Sequence, residues 1–456
     1  LLLQKEPAKV ENVQYSPGKF KWMRRSIVTV LLLAYLQNYF HRTAPGVLSS
    51  DLMAAFKTSG ASLGALASTY FYVYAAMQVP SGVIADTLGT RVGVTLASVI
   101  AGIGSIVFGL APTLAVASVG RLMVGFGVAL LFASTVKCHS RWFPARRFAT
   151  MVGVTVLVGN LGAVLSATPL AALLTLFSWR TVMVGVGISS FAVALLTFSV
   201  VRNRPQDLGF PSVYELEGGE PEPEREQHWV HDLWSVLWNK RIWPGFLANL
   251  GLGGGLFAFM GLWGVGFLRD ACHVSPDTAP DYMSVMMFAC AAGAFFFGWF
   301  SDRVGRRKSV LLGGASIYLA AWLALLYLPW QGGILGYFIV AAMGFSGVGI
   351  LLTNVLAKEV SHPALAGMAV AWVNTGNFLG TALLQPIIGW VLDRTWDGKM
   401  AEGVRVYSEM DYHNGFLVVI AVTAASLLCV VFLRETHCRN ITVSMQTKDA
   451  AEIILP

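Results

Sequence analysis

The sequence predicts an all-α membrane protein with twelve transmembrane helices arranged as two six-helix bundles. Three observations carry that expectation. Of the 456 residues 55% are hydrophobic and only 12% charged, with mean hydropathy +0.62. A soluble protein carries about 25% charged residues and needs them to cover its surface. Apolar runs of about 20 residues, long enough to cross a bilayer, recur along the chain. One short loop sequence also occurs twice, at equivalent places in the two halves.

The apolar runs lie near 26–48, 62–84, 92–111, 113–136, 150–168 and 181–201, and then near 242–268, 280–300, 309–328, 332–356, 364–391 and 413–433. Six and six indicates a duplicated bundle. The expected organisation is a tail 1–25, a bundle 26–201, a linker 202–241, a bundle 242–433 and a tail 434–456. The linker contains ELEGGEPEPEREQ, too polar to bury a core and therefore solvated. HDLWSVLWNKRIW follows it and reads as a short helix on the membrane surface, with Trp234 and Trp238 at interfacial depth.

Basic residues set the orientation. With the N-terminus inside, 24 of the 32 Lys and Arg residues fall on the inner side and 6 on the outer. Arg42 and Arg121 lie within spans. This asymmetry predicts cytoplasmic termini and a cytoplasmic linker. The sequon at Asn440 then faces the wrong side for glycosylation. The net charge of +7 reports topology rather than nucleic-acid binding. Five scattered cysteines without a CxxC pair imply neither a disulfide framework nor a zinc site, and no metal or cofactor is expected. No cleavable signal peptide and no phosphate-cradling ATPase loop is read, so the expectation is a carrier, not an enzyme.

The duplicated loop is Gly82-Val-Ile-Ala-Asp86-Thr-Leu-Gly89-Thr-Arg91 after the second span and Gly298-Trp-Phe-Ser-Asp302-Arg-Val-Gly305-Arg306-Arg307-Lys308 after the eighth. The shared spacing is an internal repeat. Glycine lets helices approach closely, and an Asp at a helix end can pair with basic groups or meet a helix N-terminus. The loop resembles the signature of the major facilitator superfamily. Arg121-Leu-Met-Val-Gly125, Trp142-Phe-Pro-Ala-Arg-Arg147 and VRNRPQDLGFP (201–211) also resemble that family, the last its organic-anion carriers. The resemblance covers about residues 26–433 and implies two bundles rocking about a central site. It implies that Gly82, Asp86, Gly89, Arg91, Asp302, Gly305, Arg306 and Arg307 serve conformational gating on the cytoplasmic side. The first copy carries Thr87 and Thr90 where basic residues are usual.

A charge inside a span costs several kcal/mol and usually has a job. The six N-terminal spans contain Arg42 and Arg121 but no Asp or Glu. Arg binds carboxylate or phosphate through paired hydrogen bonds, so an anionic ligand would supply the missing charge. Tyr35, Asn38, Tyr39 and Arg42 share one helix face. Arg42 resembles the first-helix Arg of the anion:cation symporter and organophosphate antiporter families; alternatively it snorkels to the outer surface. Arg121 either binds substrate or satisfies carbonyls within the bundle. Tyr70, Tyr74 and Gln78 form one stripe, and Asn374, Asn377, Thr381 and Gln385 another; each lines a cavity or makes interhelical hydrogen bonds. Trp263, Trp372 and Phe257 either line the cavity or pack. Lys137 reads as a snorkelling side chain, and Lys358 and Glu359 as gate or loop charges.

Val128 and His41 stand where these relatives often carry Glu and Asp. His41 is therefore the candidate proton carrier, against a neutral interfacial role. The seventh span lacks the second Arg expected of an organophosphate antiporter. The expected function is transport of a small organic anion, a carboxylate in preference, across a bacterial inner membrane by a monomer, with proton symport as one mode. Exchange, uniport, drug efflux and ligand sensing are the alternatives. The fifth span lacks the Gly-Pro pair of efflux antiporters.

Overall fold

The computed structural model describes residues 16–216, 229–330, 332–401 and 403–442. Most of the N-terminal tail, the acidic part of the linker and the last C-terminal residues lie outside the described residues. The fold is almost wholly helical, and its helices alternate in direction through two six-span halves. The face that carries Ser16, the linker and residue 442 is called the linker face; the opposite one is the far face.

The first span is Pro17–Val47, begun by Ser16, whose hydroxyl accepts from the Lys19 N–H, with Pro17 at the first helical position. It thus starts earlier than hydropathy implies. A short far-face helix, Ser49–Phe56, follows. The second span is in two pieces, Gly60–Ala76 and the start of Pro80–Leu110. Pro80 has no N–H to donate and so opens the second piece. Within Pro80–Leu110 the chain reverses at Gly89, φ 73°, and continues as the third span. The fourth, fifth and sixth are Leu114–Trp142, Ala145–Leu165 continued by Thr168–Leu174, and Trp179–Val200.

Trp229–Trp238 forms the surface helix, with Trp234 and Trp238 57% and 77% exposed. The seventh span runs through Trp243–Ala258, a π-helical turn Phe259–Trp263 and Gly264–Asp270. The eighth and ninth are Ala279–Val304 and Arg307–Tyr327. The tenth is Gly333–Gly347 continued by Leu351–Glu359, and the last two are Ala366–Thr395 and Glu409–Val431. A two-residue ribbon, Met400–Ala401 with Val404–Arg405, joins the last two on the far face.

Among the described residues nine helices are long and apolar enough to cross a membrane. The other three spans are the first, the second and the eleventh. They bear Arg42, the Tyr70/Tyr74/Gln78 stripe and the Asn374/Asn377/Gln385 stripe, and the second is also broken, its first piece Gly60–Ala76 being only 17 residues long. The second packs on the eleventh, the first on the seventh and the fifth on the eighth. The buried apolar packing runs across the two halves, joining Ala44, Leu63 and Phe108 of the first with Leu252, Phe259 and Phe416 of the second; within the second, Phe259 lies 5.4 Å from Trp322 and 5.5 Å from Phe416. Leu195, Phe295, Phe338 and Phe432 project from the outer surface, where lipid rather than protein would cover them.

The duplicated loop uses its glycines differently from the expectation. An added side chain at Gly82 or Gly298 would meet nothing within 4 Å, so neither allows a close helix approach in this conformation. The later glycine of each copy is the constrained one: Gly89 has φ 73° and Gly305 φ 69°. Only glycine adopts that region without strain. A Cβ at Gly89 would also sit 2.6 Å from the Asn203 amide. Gly89→Ala and Gly305→Ala should each lower the detergent-solubilised melting temperature, by about 1 kcal/mol or more of strain, whereas Gly82→Ala and Gly298→Ala should leave it unchanged. Equal loss in all four variants, measured by thermal unfolding, contradicts this assignment.

Candidate functional site

Arg42 lies where the two halves meet. The first helix buries Tyr35, Asn38 and Arg42 and leaves Tyr39 partly covered. The guanidinium carbon stands 4.4 Å from the centre of the Tyr39 ring and 5.1 Å from that of Tyr74, both in the N-terminal half. It stands 5.1 Å from Phe378 and 5.7 Å from Phe257, both in the C-terminal half. Its Nε donates a long hydrogen bond, 3.5 Å, to the Tyr70 hydroxyl, which in turn donates to Asn38 Oδ1 at 3.4 Å.

Among the described residues no carboxylate lies within ion-pair distance of Arg42 or Arg121. A desolvated cation–aromatic contact is worth about 2 kcal/mol. Four such faces offset much of the several kcal/mol that a buried charge costs. They are a nondirectional substitute for an anion, leaving the fork of guanidinium donors without a bidentate partner.

Arg121 has different surroundings. It is 1% exposed, donates through Nη1 to the His41 carbonyl at 2.8 Å and lies 4.9 Å from the centre of the Tyr70 ring. Its Nε and Nη2 have no hydrogen-bond partner, nor does either ring nitrogen of His41. Tyr70 thus stands between the two arginines, hydroxyl to Arg42 and ring to Arg121. Arg42 faces the opposite half, while the contacts of Arg121 are all within its own half.

The second and eleventh helices bring their polar stripes together. Asn374 Nδ2 donates to Gln78 Oε1 at 3.0 Å, across the halves. Tyr74 and Phe378 have ring centres 4.3 Å apart. Farther along the eleventh helix Thr381 donates back to the Asn377 carbonyl. Asn377 Oδ1 and both amide atoms of Gln385 are buried without a hydrogen-bond partner. Trp263 Nε1 donates to the Gln385 carbonyl, while Trp372 stacks on Phe246, away from Arg42. Sequence reasoning missed Phe378. It lies four residues past Asn374 on the same stripe, but a ring in an apolar helix ordinarily signals packing.

The far face is latched between the halves. Asp393, at the end of the eleventh helix, accepts from the backbone N–H of Gly60 at 3.0 Å and of Ala61 at 2.8 Å. These are the first residues of the second span, so a carboxylate from one half caps a helix of the other. Tyr407 and Arg405 donate to the same carboxylate at 2.6 and 3.0 Å. A second tie joins Thr168 of the fifth span to Asp281 and Ser284 of the eighth, at 2.6 and 3.0 Å.

The linker face is arranged otherwise. Asp86 pairs with Lys137 at 2.6 Å, so Lys137 is an ion-pair partner rather than a free snorkelling chain, and it supplies the charge that Thr87 and Thr90 lack. Arg91 Nε donates to the Phe198 carbonyl. Arg307 binds Asp302 at 2.6 Å and Glu359 at 3.3 Å, and Thr436 donates to Glu359. Arg306 is exposed. Each of these contacts stays within one half. A cleft of about 620 Å³ opens here, lined by Val83, Asp86, Lys137, Arg141, Asn203 and Trp229 among others; it belongs to the first loop copy, and none of the rings around Arg42 lines it.

Two packed six-helix halves, latched at one face and enclosing a caged cation between them, define a multi-pass membrane carrier. The Major Facilitator Superfamily description matches residues 31–268 and 246–443, and the chain belongs to that family. It is a transport-family protein and not an enzyme.

Among curated relatives, the membrane sensor protein UhpC of Salmonella typhimurium is 24% identical, over 92% of this chain and 95% of its own. The glycerol-3-phosphate transporter of Haemophilus influenzae is 22% identical over 83% and 88%, and the "Probable L-galactonate transporter" of Escherichia coli 20% over 94% and 93%. Among solved structures, the nucleoside transporter NupG superposes with TM-score 0.67, 15% identity and coverage of 90% and 98%. A bacterial homologue of the human lysosomal transporter Spinster, in an inward-facing and unoccupied conformation, superposes with TM-score 0.64, 19% identity and coverage of 90% and 95%.

Asp393→Ala leaves two helix N–H groups and Arg405 without their acceptor. Spin labels at Lys57 and Met410, on opposite halves of the far face, should then show a longer or broader distance distribution by pulsed electron resonance. An unchanged distribution means that the latch does not hold this face closed.

Proposed function

We propose that this protein is a secondary carrier of a small organic anion, a carboxylate in preference to a phosphate ester, working by alternating access. The single observation that carries this is Arg42: a buried guanidinium at the junction of the halves, with aromatic faces but no carboxylate around it among the described residues. An anion entering between the halves completes its bidentate donor set. Asn38, Tyr70, Tyr74, Gln78, Asn374, Asn377 and Gln385 supply neutral donors and acceptors for the rest of the ligand. Tyr35 and Tyr39 shape the wall.

Two relatives support the charge sign by name, since glycerol 3-phosphate and L-galactonate are both anions. The carboxylate preference rests on the seventh helix. Its arginine, Arg269, stands at the far end and pairs with Asp270 at 2.7 Å, leaving no second cation beside Arg42 from that helix.

The excess of basic residues on the linker face supports a cytoplasmic linker face in a bacterial inner membrane. The latched far face is then external, and the conformation is closed to the outside. His41, a buried titratable group whose carbonyl already holds Arg121, is the candidate for proton coupling.

Uptake of labelled L-galactonate and glycerol 3-phosphate into proteoliposomes, with and without a pH gradient, tests the proposal. Arg42→Ala should reduce uptake at least 100-fold, the loss of a buried bidentate charge pair, on the order of 3 kcal/mol. Uptake unaffected by the substitution contradicts the anchor role. A sensor reading is favoured by the likeness to UhpC; anion binding that depends on Arg42, with no flux in either direction, would establish it instead.

A further inference from the structure

The aromatic cage bears on how the carrier moves when it carries nothing. Two of its rings, Tyr39 and Tyr74, belong to the same half as Arg42 and travel with it. The other two, Phe257 and Phe378, belong to the opposite half. Their contact with the guanidinium therefore exists only while the halves are closed around it. An interaction present in one state and absent in another shifts the equilibrium between them; one present in both shifts nothing.

Phe378 is the stronger of the two. It is 4% exposed, its ring centre stands 5.1 Å from the guanidinium carbon against 5.7 Å for Phe257, and it also packs on Tyr74 at 4.3 Å and on Phe71 at 6.4 Å.

A carrier whose anchor is a cation must keep that charge compensated while the closed halves exclude water from it. Where only the substrate anion can do so, the unloaded carrier stays on one side and the protein exchanges anion for anion. Here side chains of the other half supply the compensation. We infer that the protein reorients unloaded and so performs net transport rather than obligate exchange, with Phe378 as the residue that sets this mode. The inference rests on the anion reading of Arg42.

The test uses full-length protein in proteoliposomes, with labelled L-galactonate and glycerol 3-phosphate and the membrane potential clamped by potassium and valinomycin. Counterflow into anion-loaded vesicles reports exchange; uptake into vesicles without internal anion reports net transport. The wild type should show both. Phe378→Leu keeps an apolar side chain but removes the π face; it should lower the ratio of net uptake to counterflow about tenfold. Phe378→Tyr restores the face and should restore net uptake. Counterflow without net uptake in the wild type overturns the inference and leaves the anion reading intact. A parallel fall of both fluxes in Phe378→Leu, with Phe378→Tyr equally impaired, also overturns it. Fluxes that persist undiminished in Arg42→Ala remove the anion reading itself.

Discussion

The structure depends on how one buried charge is compensated. Arg42 sits between two halves that have to move against each other, in a place where water cannot solvate it. A carboxylate there would neutralise it permanently and leave no reason for an anion to bind. Aromatic faces compensate it less strongly and without directionality. The compensation is thus enough to permit burial and weak enough to be replaced. Tyr70 extends the arrangement, with its hydroxyl on Arg42 and its ring on Arg121. Arg121 is accordingly better placed to fix Tyr70 and the His41 backbone than to share a ligand with Arg42.

The two faces of the bundle are held by different means. The far face is closed by directional bonds that cross the halves, Asp393 to the start of the second span and Thr168 to Asp281. On the linker face, Asp86–Lys137 and Asp302–Arg307–Glu359 are satisfied inside their own halves. In this conformation the charged pairs of the linker face thus do not tie the halves together. The latch at Asp393 is replaceable, because helix N–H groups and a carboxylate at a membrane surface can both return to water.

Much of the fold was legible because a bilayer imposes a length and a polarity on each span. The twelve runs and the repeated Gly-Asp-Gly loop led to the family without structural help. The breaks inside spans were less visible: Pro80 and the Thr168-Pro169 step mark two of them, but the π-helical turn at Phe259–Trp263 has no comparable local signal. At the site, Arg42 stood out because an unpaired charge in an apolar run is costly. Phe378 did not, because an apolar ring in an apolar helix costs nothing. Asp393 was also hidden, since a carboxylate just past a span reads as a solvated end until the partner helix, more than 300 residues away in sequence, is placed beside it. The glycines at 82 and 298 were read for close packing, whereas the backbone puts the demand on Gly89 and Gly305.

The central claim is that Arg42 awaits an anion, and its most direct test compares ligands that differ in charge alone. Calorimetric titration of the purified protein with a panel of small organic acids, each beside its uncharged amide, isolates the carboxylate. The account predicts that the acids that bind do so at least 100-fold more tightly than their amides, with the difference abolished in Arg42→Gln. Equal affinity for acid and amide, or a preference that survives in Arg42→Gln, would contradict it.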